Sequence, residues 1–207
     1  MRLAALCGLD CAPVRMAHAA GKDILLIERS DRIKSETGWT RRSMVSALTL
    51  FGLDDMMARY ASYEDFAHLI RKRFERPKET LRELFARICF NILCGNTDDH
   101  ARNHAAFWNG ERLSLAPAYD ICPQGRAGNE ATQAMFITGN NRFSQRSACI
   151  ETAHNFMLSR EAAALIFDEQ VERINEHWDK VCEEAQLTEI DRRLFWKRQF
   201  LNPFVFE

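Results

Sequence analysis

The run from Pro77 to Cys94, closed by Gly95, constrains this chain more than any other stretch. Leu81, Leu84, Phe85, Ile88, Ile92 and Leu93 recur at helical spacing. Pro77 stands where a helix can spare its first N–H, and Gly95 supplies the left-handed stop. The pattern predicts a buried helix that the rest of the chain packs around. The segment after it is polar: Asn96-Thr97-Asp98-Asp99-His100-Ala101-Arg102-Asn103. The strongest packing element therefore delivers a loop dense in carboxylates, amides and imidazoles, as a preorganised site requires. Next come Ala105 to Trp108, Asn109-Gly110, and Glu111 to Leu115. Asn-Gly between apolar segments predicts a tight hairpin, because both residues tolerate positive φ. A hairpin there brings Asn103 and Asp120 together at its open end.

Asp98 and Asn103 stand five apart, the separation of aspartate and asparagine in the H-R-D-x-x-x-x-N loop of protein kinases. In that loop the aspartate accepts a hydroxyl proton and the asparagine holds a magnesium ion. Asp99, four from Asn103, does not fit. Asp120, just beyond the hairpin, is the natural third group. Two other readings compete. The plain one is a polar turn after a glycine cap. The other pairs His100 with His104, Asp98, Asp99 and Asp120 as a transition-metal site for phosphoester hydrolysis. No glutamate accompanies the histidines as in H-E-x-x-H, which ranks that reading below the first.

Composition sets the frame. The chain has 207 residues, 46% hydrophobic and 28% charged, with net charge −1, enough for one domain or one large lobe and without a general attraction for nucleic acid. Its seven cysteines form no C-x-x-C pair and read as reduced core thiols of a cytoplasmic protein. No apolar run reaches membrane-spanning length, and the opening one is soon broken by Gly8 and Asp10. The coarse pattern is mainly α with a small β component, an α+β fold. A short helix from Arg2 ends at Gly8, and strands 12–19 and 23–28 flank Gly21-Lys22. Residues 35–40 read as a polar link, and 42–51 as a helix stopped by Gly52. Ser62 caps a helix carrying Phe66, Leu69, Ile70 and Phe74. Met135-Phe136-Ile137 reads as a short strand. Ser159 caps a long helix to about Ala185 that buries Leu165 or Ile166, Val171, Ile174, Trp178 and Val181. Thr188 begins a last helix that runs to Asn202-Pro203.

Three pieces, Leu25 to Arg32, Phe90 to His104 and Leu115 to Ile121, which stand in the family's order and cover nearly the whole chain, give it a resemblance to the C-terminal lobe of the HipA family of bacterial serine/threonine kinases. The resemblance implies a protein-kinase-like C-terminal lobe over 34–207, with 1–33 a remnant of the N-terminal lobe plus hinge. It implies ATP and Mg²⁺ as cofactors. It makes Asp98 the catalytic base, Asn103 and Asp120 the metal ligands, and His100 and Arg102 supporting residues. Glu28, Ser30, Asp31 and Tyr119 would meet the nucleotide. The expected partners are a protein substrate such as an aminoacyl-tRNA synthetase and a DNA-binding antitoxin. The family's phosphate-binding loop and lysine have no counterpart in residues 1–207. Residues 1–207 are therefore expected to be nearly inactive without a separate N-lobe polypeptide. The alternative is a non-catalytic partner-binding lobe.

Overall fold

The computed structural model describes residues 1–126 and 128–207. The chain begins with helix α1 (Arg2–Leu6), ribbon β1 (Val14–Ala19) and β2 (Lys22–Ile27), hairpin β3 (Arg32–Ser35) and β4 (Gly38–Arg41), strand β5 (Met44–Ser46) and helix α2 (Ala47–Phe51). Helices α3 (Tyr63–Arg73) and α4 (Pro77–Cys94), hairpin β6 (Ala105–Trp108) and β7 (Leu113–Leu115), and helices α5 (Arg146–Thr152), α6 (Arg160–Glu184) and α7 (Glu189–Phe195) complete it. The fold class is the expected one, mainly helical with small sheets.

Helix α4 is the centre. Every residue from Arg87 to Cys94 is buried, so the second half of the helix is enclosed on all sides rather than along one stripe. It packs against α3, α5 and α6, and Phe85 meets Phe156 with ring centroids 5.3 Å apart. Its end is a Schellman-type stop. Gly95 has φ 73°, and the Asn96 N–H donates to the Asn91 carbonyl at 2.8 Å. The expected caps hold elsewhere: Ser62 accepts from the Asp65 N–H, Ser159 from Ala162 and Thr188 from Asp191. Helix α1, too short to stand alone, is held by burial of Leu3 and Ala4 and by the Arg2–Glu184 ion pair to α6.

The sequence misplaces several elements, each for a physical reason. Residues 42–51 do not form one helix: Met44 to Ser46 is a strand paired antiparallel with β6, and only Ala47–Phe51 is helical. Ser46 is the break, because its side chain caps α2 by accepting from the Thr49 N–H. The polar link 35–40 lies within the hairpin β3–β4. Its faces are mostly exposed, so no apolar alternation announces it. The ribbon turn is Ala20-Gly21, both at positive φ, and Lys22 pairs with Ala19 inside the strand. Asn109-Gly110 does not close a two-residue turn. Trp108 pairs with Leu113, leaving four loop residues, and Asn109 Oδ1 accepts from the N–H groups of Glu111 and Arg112 at 2.8 Å each. Met135 and Ile137 are buried, but residues 135–137 make only an isolated bridge from Phe136 to Ser62. On α6, Ile166 is buried while Leu165 is exposed. The last helix ends at Phe195, and Pro203–Phe206 is a separate short 3₁₀ turn.

Candidate active site

The candidate loop begins at the glycine stop of α4 and ends where β6 enters the sheet, so both ends are fixed by buried structure. Within it, His100 N–H donates to the Asp98 carbonyl at 3.0 Å and Asn103 N–H to the His100 carbonyl at 2.9 Å. The Asn103 side chain is nearly buried, and its Nδ2 donates to the Asp98 carbonyl at 3.2 Å. That bond ties the two ends of the five-residue interval and leaves the amide Oδ1 as the free end.

Across the hairpin the return strand is held close. Ala116 N–H donates to the Ala105 carbonyl at 2.8 Å, and the Tyr119 hydroxyl to the Arg102 carbonyl at 2.6 Å. Burial, then the negative charges of Asp120 and Asp99, raise the Tyr119 hydroxyl above its usual range. The structure therefore sets 98–105 and 116–120 side by side. Asp98 and Asp120 are exposed, and no ion pair engages either among the described residues. Asp120 adopts φ 57°, an uncommon backbone for a side chain other than glycine. An amide oxygen and an exposed carboxylate are all-oxygen donors of the kind Mg²⁺ takes alongside phosphate oxygens. The residues present fit such an ion.

The remaining sequence candidates fall into place differently. His104 is buried and its Nε2 lies 3.0 Å from Asp99 Oδ2, so it is not available to join His100 as a metal ligand. Among the described residues no group of three or more His, Cys, Asp or Glu could hold a metal ion. Arg102 pairs with Asp55. Glu28, Ser30 and Asp31 lie between β2 and β3, and the Asp31 carboxylate is engaged at both oxygens by Arg29, at 2.8 and 2.6 Å. Glu28 contributes its backbone N–H to the Pro13 carbonyl at 2.9 Å.

Two groups escaped the sequence reading. The first is a buried network beneath the loop, in which Asp99 accepts from the Tyr63 hydroxyl at 2.5 Å and from His104. Because Nδ1 of His104 has no partner among the described residues, Nε2 carries the proton toward Asp99. Burial pushes the Asp99 carboxyl up, but His104, Tyr63 and Asn91 outweigh it and hold it below the usual range. A depressed folded value means Asp99 stabilises the fold fully above the ordinary carboxylate pKa of about 3.9 and loses that contribution as pH falls toward the folded value. The wild-type melting temperature should therefore drop more steeply than that of Asp99→Asn as pH falls from about 5 to about 2. Parallel slopes in thermal melts would remove Asp99 from this role. The second group is Arg87, 2% exposed. Its guanidinium donates to Glu83 at 2.7 Å, to the Ala116 carbonyl at 3.0 Å and to the Asp10 carbonyl at 3.1 Å, which clamps the return strand to α4. The only sequence signal for it was an i,i+4 acid–base pair on an otherwise apolar helix.

The fold is that of a protein-kinase-like lobe. It superposes on a solved HipA of Shewanella oneidensis, determined with HipB and operator DNA, with TM-score 0.80 and 20% identity over 94% of this chain and 50% of that one. A Helicobacter pylori proinflammatory kinase, CtkA, gives TM-score 0.63 and 12% identity over 98% of this chain and 82% of that one. The model of the HipA-like C-terminal domain matches residues 1–178, and the chain belongs to that family. Among curated relatives, a protein of Sinorhizobium fredii named as a kinase, Y4mE, is 32% identical over 58% of this chain and 30% of its own length. The serine/threonine-protein kinase toxin HipA of Shewanella oneidensis is 24% identical over 58% of this chain and 32% of its own. The chain thus spans about a third of the length of the curated relatives it matches.

Proposed function

We propose that residues 1–207 form the catalytic lobe of a HipA-like serine/threonine protein kinase, which transfers the γ-phosphate of ATP to a protein hydroxyl. One observation carries the reading: two exposed carboxylates, Asp98 and Asp120, flank a hairpin whose open end is drawn together by the Asn103–Asp98, Ala105–Ala116 and Tyr119–Arg102 bonds. In this reading Asp98 receives the proton of the attacking hydroxyl. The Asn103 Oδ1 and the Asp120 carboxylate hold Mg²⁺, which when bound neutralises charge on the phosphates. His100 and Arg102 hold the loop by its backbone and by the contact with Asp55. Asp99, Tyr63 and His104 position Asp98 from below. Glu28 and Ser30 would meet the adenine by backbone, Tyr119 the nucleotide from the loop side, and Asp31 the ribose once Arg29 gives way.

In this proposal residues 1–33 belong with an N-terminal lobe and 34–207 form the lobe proper. Phosphoryl transfer rests on positioning and charge neutralisation. Residues 1–207 supply the base and the metal ligands but contain no glycine-rich phosphate loop. A toxin role, an antitoxin partner and a substrate from the translation machinery such as an aminoacyl-tRNA synthetase are part of the same proposal. The antitoxin is supported by the neighbour solved together with HipB and operator DNA.

The test is incorporation of radiolabelled phosphate from ATP by residues 1–207 alone and after a HipA-type N-terminal lobe is added, as a fusion or a second chain. Little transfer alone and restored transfer with the added lobe are expected. Robust transfer by 1–207 alone would refute the division of labour. No transfer in any reconstituted form would favour the partner-binding lobe.

A further inference from the structure

A shallow recess of about 450 Å³ lies between Arg126 and the segment from Trp196 to Pro203. Its lining is unusual in charge. Arg126, Lys197 and Arg198 contribute three cations, and the other lining residues, Gly128, Asn129, Trp196, Asn202 and Pro203, include no acid. Arg126 is 9% exposed, yet its Nε and Nη1 have no hydrogen-bond partner among the described residues. A guanidinium taken from water without an acceptor is costly, and burial lowers its affinity for its proton. Guanidinium groups this buried ordinarily face a carboxylate or phosphate. In this chain Arg87 illustrates the satisfied case, and Arg126 lacks the equivalent acceptors.

The opposite wall is built to hold its shape. Asn202 Nδ2 donates to the carbonyls of Lys197 and Arg198, at 3.4 and 2.9 Å, and its Oδ1 accepts from the Phe204 N–H at 3.0 Å. Lys197 Nζ stands 5.2 Å from the centroid of the Trp196 ring. One Arg198 nitrogen reaches the Arg126 carbonyl at 3.4 Å, which joins the two walls. No ion pair of Arg126, Lys197 or Arg198 with an acid occurs among the described residues.

We propose that this recess is a binding site for a phosphate group, borne on a protein or free in solution, with Arg126, Lys197 and Arg198 as its cationic ligands. Three cations on one recess exceed what a single carboxylate balances. A phosphate monoester carries about −1.5 to −2 charges at neutral pH and three strong acceptor oxygens, and arginine forks match its geometry. The recess shares no lining residue with the Asp98–Asn103–Asp120 set and does not depend on the kinase reading. Lys197 and Arg198 also lie beyond residue 178, where the family match ends.

The experiment is a calorimetric titration of residues 1–207 with inorganic phosphate and with O-phosphoserine at constant ionic strength, sodium acetate serving as control. Saturable binding to at least one phosphate compound and none of acetate is expected. Arg126→Gln should weaken it about tenfold or more, and the double variant Lys197→Gln/Arg198→Gln, which removes two cationic ligands, by a larger factor, since each lost charge-assisted bond is about 1.5–3 kcal/mol. Tighter binding of O-phosphoserine would assign the site to a protein-borne phosphate, and tighter binding of inorganic phosphate to the free ion. Both support the site. Absence of saturable binding, or binding unchanged in the variants, would overturn it. If Arg126→Gln fails to fold by circular dichroism, the double variant decides, because both its residues are exposed.

Discussion

Asp98→Asn in the protein completed with an N-terminal lobe is expected to cut phosphoryl transfer by about 10²–10⁴-fold, the contribution of a positioned general base. The substitution should leave the fold intact. The Asp98 side chain is exposed, and the loop is held through the Asp98 carbonyl, which asparagine retains. Thermal melting should therefore be unchanged within about 0.5 kcal/mol, as for surface substitutions generally. Asp120→Asn should lower transfer through the metal and recover part of it as Mn²⁺ is raised, whereas Asp98→Asn should not respond to Mn²⁺. Rescue of Asp98→Asn by metal, or full activity in that variant, would remove Asp98 from the role of base.

The largest stability effect is expected at Gly95. Its φ of 73° is a conformation that side chains rarely adopt, and a Cβ built there would lie 2.8 Å from the backbone carbonyl oxygen of Gln199. The obstacle is backbone. It is anchored nearby by the Leu201 N–H donating to the Leu93 carbonyl at 2.7 Å. Gly95→Ala combines left-handed strain of about 1–3 kcal/mol with overpacking of a similar size. The expected loss is about 2–6 kcal/mol, read as a lower midpoint in urea unfolding. Gly52→Ala is the control, because that helix stop also has positive φ but nothing within 4 Å of a Cβ. It should cost only the conformational part. Equal losses at the two positions would show that the approach of Gln199 carries no energy.

The sequence was most legible where local and global preferences agree. The α4 run, its Gly95 stop and the caps at Ser62, Ser159 and Thr188 each rest on one or two residues whose chemistry has few alternatives. The Asp98–Asn103 interval was equally plain, and the hairpin that returns the chain toward Asp120 was right even though its loop is longer than Asn-Gly alone suggests. Strand β5 was hidden because Met44, Val45, Leu48 and Phe51 fit a helical period as well as they fit a strand leading into a helix. Hairpin β3–β4 was hidden because its side chains are mostly exposed and leave no binary pattern. The Tyr63–Asp99–His104 network could not be read at all. Its members come from α3 and the loop, 36 residues apart for Tyr63 and Asp99, and nothing local distinguishes Asp99 from its exposed neighbour Asp98. Arg126 was invisible for the same reason. Its recess is made by the last dozen residues of the chain folding back on the segment after Asp120.

The burial of the second half of α4 on every side also bears on how time is distributed in this molecule. Amide hydrogens from Ile88 to Leu93 are expected to meet solvent only when the whole lobe opens, so that their exchange with deuterium would measure the global unfolding free energy. Ribbon β1–β2, nearly all exposed, is expected to open locally and to exchange much sooner. Asn96 to Asn103 hangs from the slow end of this hierarchy while Asp98 and Arg102 face outward from it. In the proposed kinase reading, the loop that accepts a substrate and releases a product is thereby mounted on the slowest clock the chain possesses.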